Sequence, residues 1–149
     1  MTLNSHRVPI LVIDDSPEDY QALQRCFTQL GFSNPLVHCS EGEEALNLLD
    51  QTTAPNTHVA SNFKPGCILL DLNMPGMDGR DILRSIKTHP QLKQVPVVVL
   101  SSSNDPGDIT SCYRDGANSY MVKPPTFNGL VKSMEAFRNF WLETVEHPT

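Results

Sequence analysis

Five polar residues stand at the ends of apolar runs. Asp14 and Asp15 follow Val8–Ile13, Asp71 follows Cys67–Leu70, Ser101 follows Val95–Leu100, and Lys123 follows Ser119–Val122. Taken singly, each has an ordinary structural explanation. An aspartate there caps the next helix, and a serine or lysine begins a loop or meets solvent. Taken together they are three carboxylates, a hydroxyl and an ammonium. Gathered in one place, the carboxylates would raise one another's pKa unless a cation joined them. Mg2+ takes one or two protein carboxylates with waters and a phosphate oxygen, and a lysine adds a point positive charge. Such a set suits phosphoryl transfer, where the protein mainly positions groups and neutralises charge. A carboxylate can itself be the acceptor, as an aspartyl phosphate.

The elements that must position these residues follow from the hydrophobic pattern. Five short apolar runs, of which Leu36–Cys39 is the weakest, alternate with amphipathic stretches. The strongest runs lack polar alternation, as strands buried on both faces of a parallel sheet should. Ser16-Pro17-Glu18 supplies an N-cap, a first-turn proline and an acid, and Gly31 stops the helix they begin. Further helices are predicted over Glu41–Asp50, Asp78–Lys87, Asp105–Asp115 and Thr126–Val145. Asp105–Asp115 has the thinnest apolar face and is predicted to be the least stable. The repeated strand–helix order predicts a doubly wound α/β fold: a flavodoxin-like, five-stranded parallel sheet between two helical layers. In such folds ligands bind beyond the carboxyl ends of the strands, where all five polar residues lie.

Composition narrows the function. The chain has 149 residues, 17 acids against 11 bases and a net charge of −6. Its length predicts a single domain spanning residues 1–149 with a core over about 8–140. The acidic balance argues against nucleic-acid and anionic-membrane partners. The longest apolar stretches are too short to span a bilayer, and the N-terminus does not read as a secretory signal. Cys26, Cys39, Cys67 and Cys112 form no CxxC pair, which predicts reduced, buried thiols in a cytoplasmic protein. Gln51–Gly66 reads as a long polar loop. His6, His38, His58, His89 and His147 show no metal-ligand spacing, and neither a phosphate-binding glycine loop nor a nucleophile elbow is present.

The set Asp14–Asp15, Asp71-Leu-Asn73-Met-Pro75-Gly-Met-Asp-Gly79, Ser101 and Lys123–Pro124 resembles the receiver domain of two-component response regulators over roughly Val8 to Phe140. The resemblance implies that Asp71 accepts a phosphoryl group from a histidine kinase. It implies that Asp15, assisted by Asp14, holds Mg2+ with Asp71 and the Asn73 carbonyl. It further implies that Lys123 and Ser101 bind phosphoryl oxygens and that Tyr120 is the switch aromatic. Lys123–Pro124 is expected to be a cis peptide. Ser101 replaces the family's commoner threonine, and Pro125 stands where an apolar residue is usual.

After Lys123 only 26 residues remain, room for one helix of about 126–146. The predicted output is therefore contact with a further protein by the receiver itself, with no enzymatic activity beyond its own phosphorylation and dephosphorylation. On an α-helical wheel Phe127, Leu130, Val131, Met134, Trp141, Leu142 and Val145 face the core. Phe137 falls at the margin and Phe140 outside it. Phe137, Phe140 and Trp141, with Tyr120 beside them, are predicted to form a homodimer interface. Phe140–Val145 and the long loop are similar to the small dimeric receivers that partner cyanobacterial phytochromes, which implies a light-regulated kinase. Two other readings stand: a receiver-shaped binding module that never turns over phosphate, and a flavodoxin-like flavin binder. Asp14–Asp15 opposes the latter, because it would repel a phosphate.

Overall fold

Strands buried on both faces need apolar side chains pointing both ways, and the central runs supply them. In the computed structural model, which describes residues 8–51, 63–74 and 78–146, the strands are β1 (Ile10–Ile13), β2 (Leu36–Cys39), β3 (Cys67–Leu70), β4 (Val97–Ser101) and β5 (Ser119–Val122). They form one parallel sheet in the order β2-β1-β3-β4-β5, the predicted doubly wound arrangement. Every residue of β1, β3 and β4 is buried. Most of the predicted Gln51–Gly66 loop, Pro75-Gly-Met77, His6, His58 and His147 lie outside the described residues.

The helices are α1 (Pro17–Leu30), α2 (Gly42–Gln51), α3 (Gly79–Thr88), α4 (Pro106–Arg114) and α5 (Phe127–Phe137). Alternation along β1 divides the core. Ile10 and Val12 pack with Leu23, Cys26 and Phe27 of α1 and Met134 and Phe137 of α5. Leu11 and Ile13 face the other way, toward Leu49 of α2, Ile82, Leu83 and Ile86 of α3 and Cys112 of α4. The sheet is thus the middle of three layers.

Local chemistry sets the helix ends. Ser16 accepts a hydrogen bond from Asp19 N, Asp78 from Arg80 N and Asp105 from Asp108 N. Thr126 caps α5 by accepting from Gly129 N, so the Pro124–Pro125 pair sits before the helix and disturbs none of its bonds. Gly31 ends α1 in the left-handed region at φ 72°, where a side chain is strained.

The last helix departs from expectation. It is α-helical only to Phe137 and continues as a π-helical segment over Arg138–Thr144, closed by Val145 N donating to Phe140 O at 2.9 Å. Wider turns rotate the later side chains away from their α-wheel positions. Phe137, expected at the margin of the apolar stripe, is only 1% exposed. It fills core beneath α1 and is unavailable as a docking residue. Phe140 is exposed, and half-buried Trp141 meets it edge-on with ring centroids 5.2 Å apart.

Candidate functional site

The backbone ladder carries the polar residues into one plane. Asp14 N donates to Cys39 O (3.1 Å), Asp71 N to Ile13 O (2.9 Å) and Lys123 N to Ser101 O (2.7 Å). These bonds extend the parallel pairing one residue beyond each strand, so Asp14, Asp71, Ser101 and Lys123 meet at the carboxyl edge. The site lies where strand order reverses between β1 and β3, as predicted.

Asp14, Asp15 and Asp71 can each offer an oxygen such that all three lie within 4.8 Å of one another. Asp14 and Asp71 are buried and Asp15 is half-buried. Local bonds orient them. Asp14 Oδ1 accepts from Ser16 N at 2.8 Å, and Asp71 Oδ1 accepts from Asn73 N at 3.3 Å. Behind Asp14, His38 Nε2 lies 2.7 Å from the Asp14 carbonyl oxygen and donates to it, and its ring stacks on Tyr20 at 4.0 Å. Behind Asp71, Gly79 comes so close that an added Cβ would lie 2.5 Å from the Asp71 carbonyl oxygen. Only glycine fits there, and Gly79 N donates to Leu72 O to seal the turn.

The electrostatics of the pocket are unbalanced. The Asp71 carboxyl is held up at about 6, with burial the largest of several opposing causes. Lys123 pulls it down, Asp14 pushes it up further, the Asn73 amide lowers it and Asp15 adds a final upward push. Burial also works against the Lys123 charge, but its hydrogen bond to Asp19 and the charges of Asp14, Asp71 and Asp19 outweigh this and raise its pKa. Crowded carboxylates in a dry recess are the environment a hard divalent cation relieves. The triad could therefore bind such an ion.

Ser101 is fully buried at the end of β4, and its Oγ accepts from Ser103 N at 3.1 Å. Half-buried Tyr120 donates from its hydroxyl to the Ser103 carbonyl at 2.8 Å, so Ser103 bridges the hydroxyl and the aromatic. Lys123 reaches the acids from the position just past β5. The Lys123–Pro124 bond is trans, which corrects the expected cis peptide: the Lys123 N–H bond to Ser101 already aims the side chain inward. Phe140 and Trp141 lie on the π-helical segment, outside this set.

Residues 10–135 match the model of the response regulator receiver domain. The chain belongs to this family. It is 34% identical over 139 residues to the response regulator Rcp1 of Synechocystis sp., covering 93% of this chain and 92% of Rcp1. Its fold is similar to that of the phosphorylated cyanobacterial phytochrome response regulator RcpA, with a TM-score of 0.86 and 33% identity over 96% of this chain and 99% of the other. It is also similar to the Mn2+-bound form of Rcp1, with a TM-score of 0.83 and 34% identity over 95% and 99% of the two chains. Among the described residues, no helix is long and apolar enough to cross a membrane.

Two contributors escaped the reading of the receiver's sequence. Asp19 Oδ2 accepts from Lys123 Nζ at 2.7 Å, a pairing 104 residues apart with no local pattern to reveal it. Ser103 had only its position beside Ser101 to mark it. Its hub role joins two local bonds, to Ser101 and Asp108, with one from Tyr120 on the neighbouring strand.

Proposed function

We propose that this receiver takes a phosphoryl group on Asp71 from the phosphohistidine of a histidine kinase, with Mg2+ held by Asp14, Asp15, Asp71 and the Asn73 carbonyl. The gathering of three carboxylates within 4.8 Å, with Lys123 Nζ 3.8 Å from Asp71, carries this reading. An Asp71 oxygen bonds to phosphorus as the P–N bond breaks and imidazole departs. Water later attacks phosphorus, releasing inorganic phosphate and restoring the carboxylate. Bound Mg2+ would neutralise charge on the transferring group. Lys123 meets a phosphoryl oxygen, Ser101 donates its hydroxyl to another, and Ser103 passes that movement to Tyr120 and α4. Acid-labile labelling from acetyl phosphate and Mg2+ should vanish in Asp71→Asn. Persistent labelling of that variant would sink the assignment.

The kinase we infer is a phytochrome, on the strength of the similarity to Rcp1 and RcpA. Phosphotransfer profiling against a panel of histidine kinases, phytochromes included, tests this, and preference for an unrelated kinase overturns it. The output we infer is protein contact by the receiver in the cytoplasm, where its four free, buried thiols stay reduced. A homodimer through Phe140 and Trp141 is supported by the 52% exposure of Phe140 on the π-helical segment Arg138–Thr144, edge-on to Trp141. Sedimentation should show association at tens of micromolar that Phe140→Ala weakens; a monomer with and without phosphorylation would refute it.

A further inference from the structure

The carboxylate nearest the Lys123 ammonium belongs to none of the residues assigned to phosphotransfer. Asp19 Oδ2 is 2.7 Å from Nζ, Asp14 Oδ2 is 3.2 Å away and Asp71 Oδ2 is 3.8 Å away. Resting on the reading of Asp71 as acceptor, we propose that Asp19 is a positioning residue: it holds the Lys123 ammonium off Asp71 and competes for it with the incoming phosphoryl group.

Three features make Asp19 suited to this. Its place is fixed, because its own N–H donates to the N-cap hydroxyl of Ser16 at 3.2 Å at the start of α1. Its solvation differs from that of its partner. The Lys123 side chain is 15% exposed and needs an anion, whereas the Asp19 side chain is 47% exposed and is rehydrated cheaply once released. Asp14, at 3% exposed, has no such freedom. Lastly, the order of distances leaves Asp71 the least tightly paired of the three. A carboxylate gripped by an ammonium is a poorer nucleophile, so an alternative partner keeps Asp71 available while the lysine waits within reach. A phosphoryl group brings about −1.5 to −2 charges and three acceptor oxygens, enough to draw Nζ away from an exposed partner.

Beryllium fluoride with Mg2+, read by 19F NMR, reports the phosphoryl-like state without turnover. Asp19→Asn should tighten beryllium fluoride binding about fivefold, the scale of one partly exposed ion pair. Asp19→Glu, which keeps the carboxylate, should stay within about twofold of wild type. Glu18→Gln removes the same charge from the same turn, but Glu18 pairs with the Ser16 hydroxyl and not with Lys123; it should leave binding unchanged. Unchanged or weaker binding in Asp19→Asn overturns the proposal. Equal tightening in Glu18→Gln also overturns it, since general repulsion would then be the cause. A wild type that binds no beryllium fluoride, or an Asp71→Asn variant that still binds it, removes the phosphoacceptor reading and this inference with it. Normal wild-type binding with a silent Asp19→Asn removes this inference alone.

Discussion

Helices α3 and α4 cover the same face of the sheet by different means. Helix α3 buries Gly79, Ile82, Leu83 and Ile86. Helix α4, one residue shorter, buries Cys112 alone. What α4 lacks in apolar contact it replaces with polar tethers. Asp108 accepts from Ser103 Oγ at 2.6 Å and pairs with Arg80 of α3, and Asp115, just past α4, pairs with Arg84 at 3.1 Å. Apolar packing holds a backbone against the sheet, and α3 uses it to press Gly79 against the Asp71 carbonyl. Ion pairs at partly exposed sites are weak and exchangeable, so they hold α4 less firmly than packing holds α3. The pocket thus has a firm wall behind Asp71 and a loose one beside Ser101 and Tyr120.

The largest expected difference between the two walls is in packing. Leu83→Ala should lower unfolding stability by about 3 kcal/mol in chemical denaturation, because it opens a cavity in a fully buried site. Truncating the half-buried Ile109 of α4 should have a markedly smaller effect. Similar losses at both positions would erase the contrast.

The second difference is in the sign of pH dependence. Asp71 is held above its ordinary pKa, so the metal-free fold binds that proton more tightly than the unfolded chain does. The resulting stability is complete below the usual carboxylate range and is lost as pH rises through about 6. Asp71→Asn should therefore stabilise the metal-free protein at neutral pH by on the order of 2 kcal/mol and flatten this dependence. Asp108 runs the other way. The Ser103 hydroxyl and the Arg80 guanidinium outweigh its desolvation and hold its carboxyl below the ordinary range. Its contribution is present above the unfolded pKa and fades as pH falls through the depressed one. Urea melts of the metal-free variants across pH 3–8 separate the two carboxylates, and the same sign at both would contradict this assignment.

The smallest effect is local. Arg80→Ala cuts a tether from α3 to α4 while leaving the core of α3 intact. Hydrogen exchange should speed up severalfold in α4 and remain unchanged in α3. Matching acceleration in both helices would mean that they open as one unit.

Much of this was legible because it depends on neighbours in the chain. Ser16, Asp78 and Asp105 cap the helices that follow them, and unbroken apolar runs became the fully buried strands β1, β3 and β4. The thin apolar face predicted for Asp105–Asp115 is the weakly buried α4. The site set was legible because each member stands at or just past the end of a strand, and a parallel sheet brings such ends to one edge. Phe137 was misplaced for a related reason. An α-helical wheel puts it at the edge of the apolar stripe, whereas packing with Leu23, Cys26 and Phe27 of α1 buries that edge.

By itself, then, the order of residues determined the alternating elements, their caps, the carboxyl-edge meeting of Asp14, Asp15, Asp71, Ser101 and Lys123, and the family to which they belong. These follow from periodicity and local hydrogen bonding, which act over a few residues. Only the tertiary structure decided that Lys123 rests on Asp19, that its bond to Pro124 is trans, that Ser103 joins Ser101 to Tyr120, and that Arg80 tethers α4. Each depends on side chains or strands brought together by packing, and charge and hydrogen-bond partners are chosen by distance in space rather than by separation along the chain.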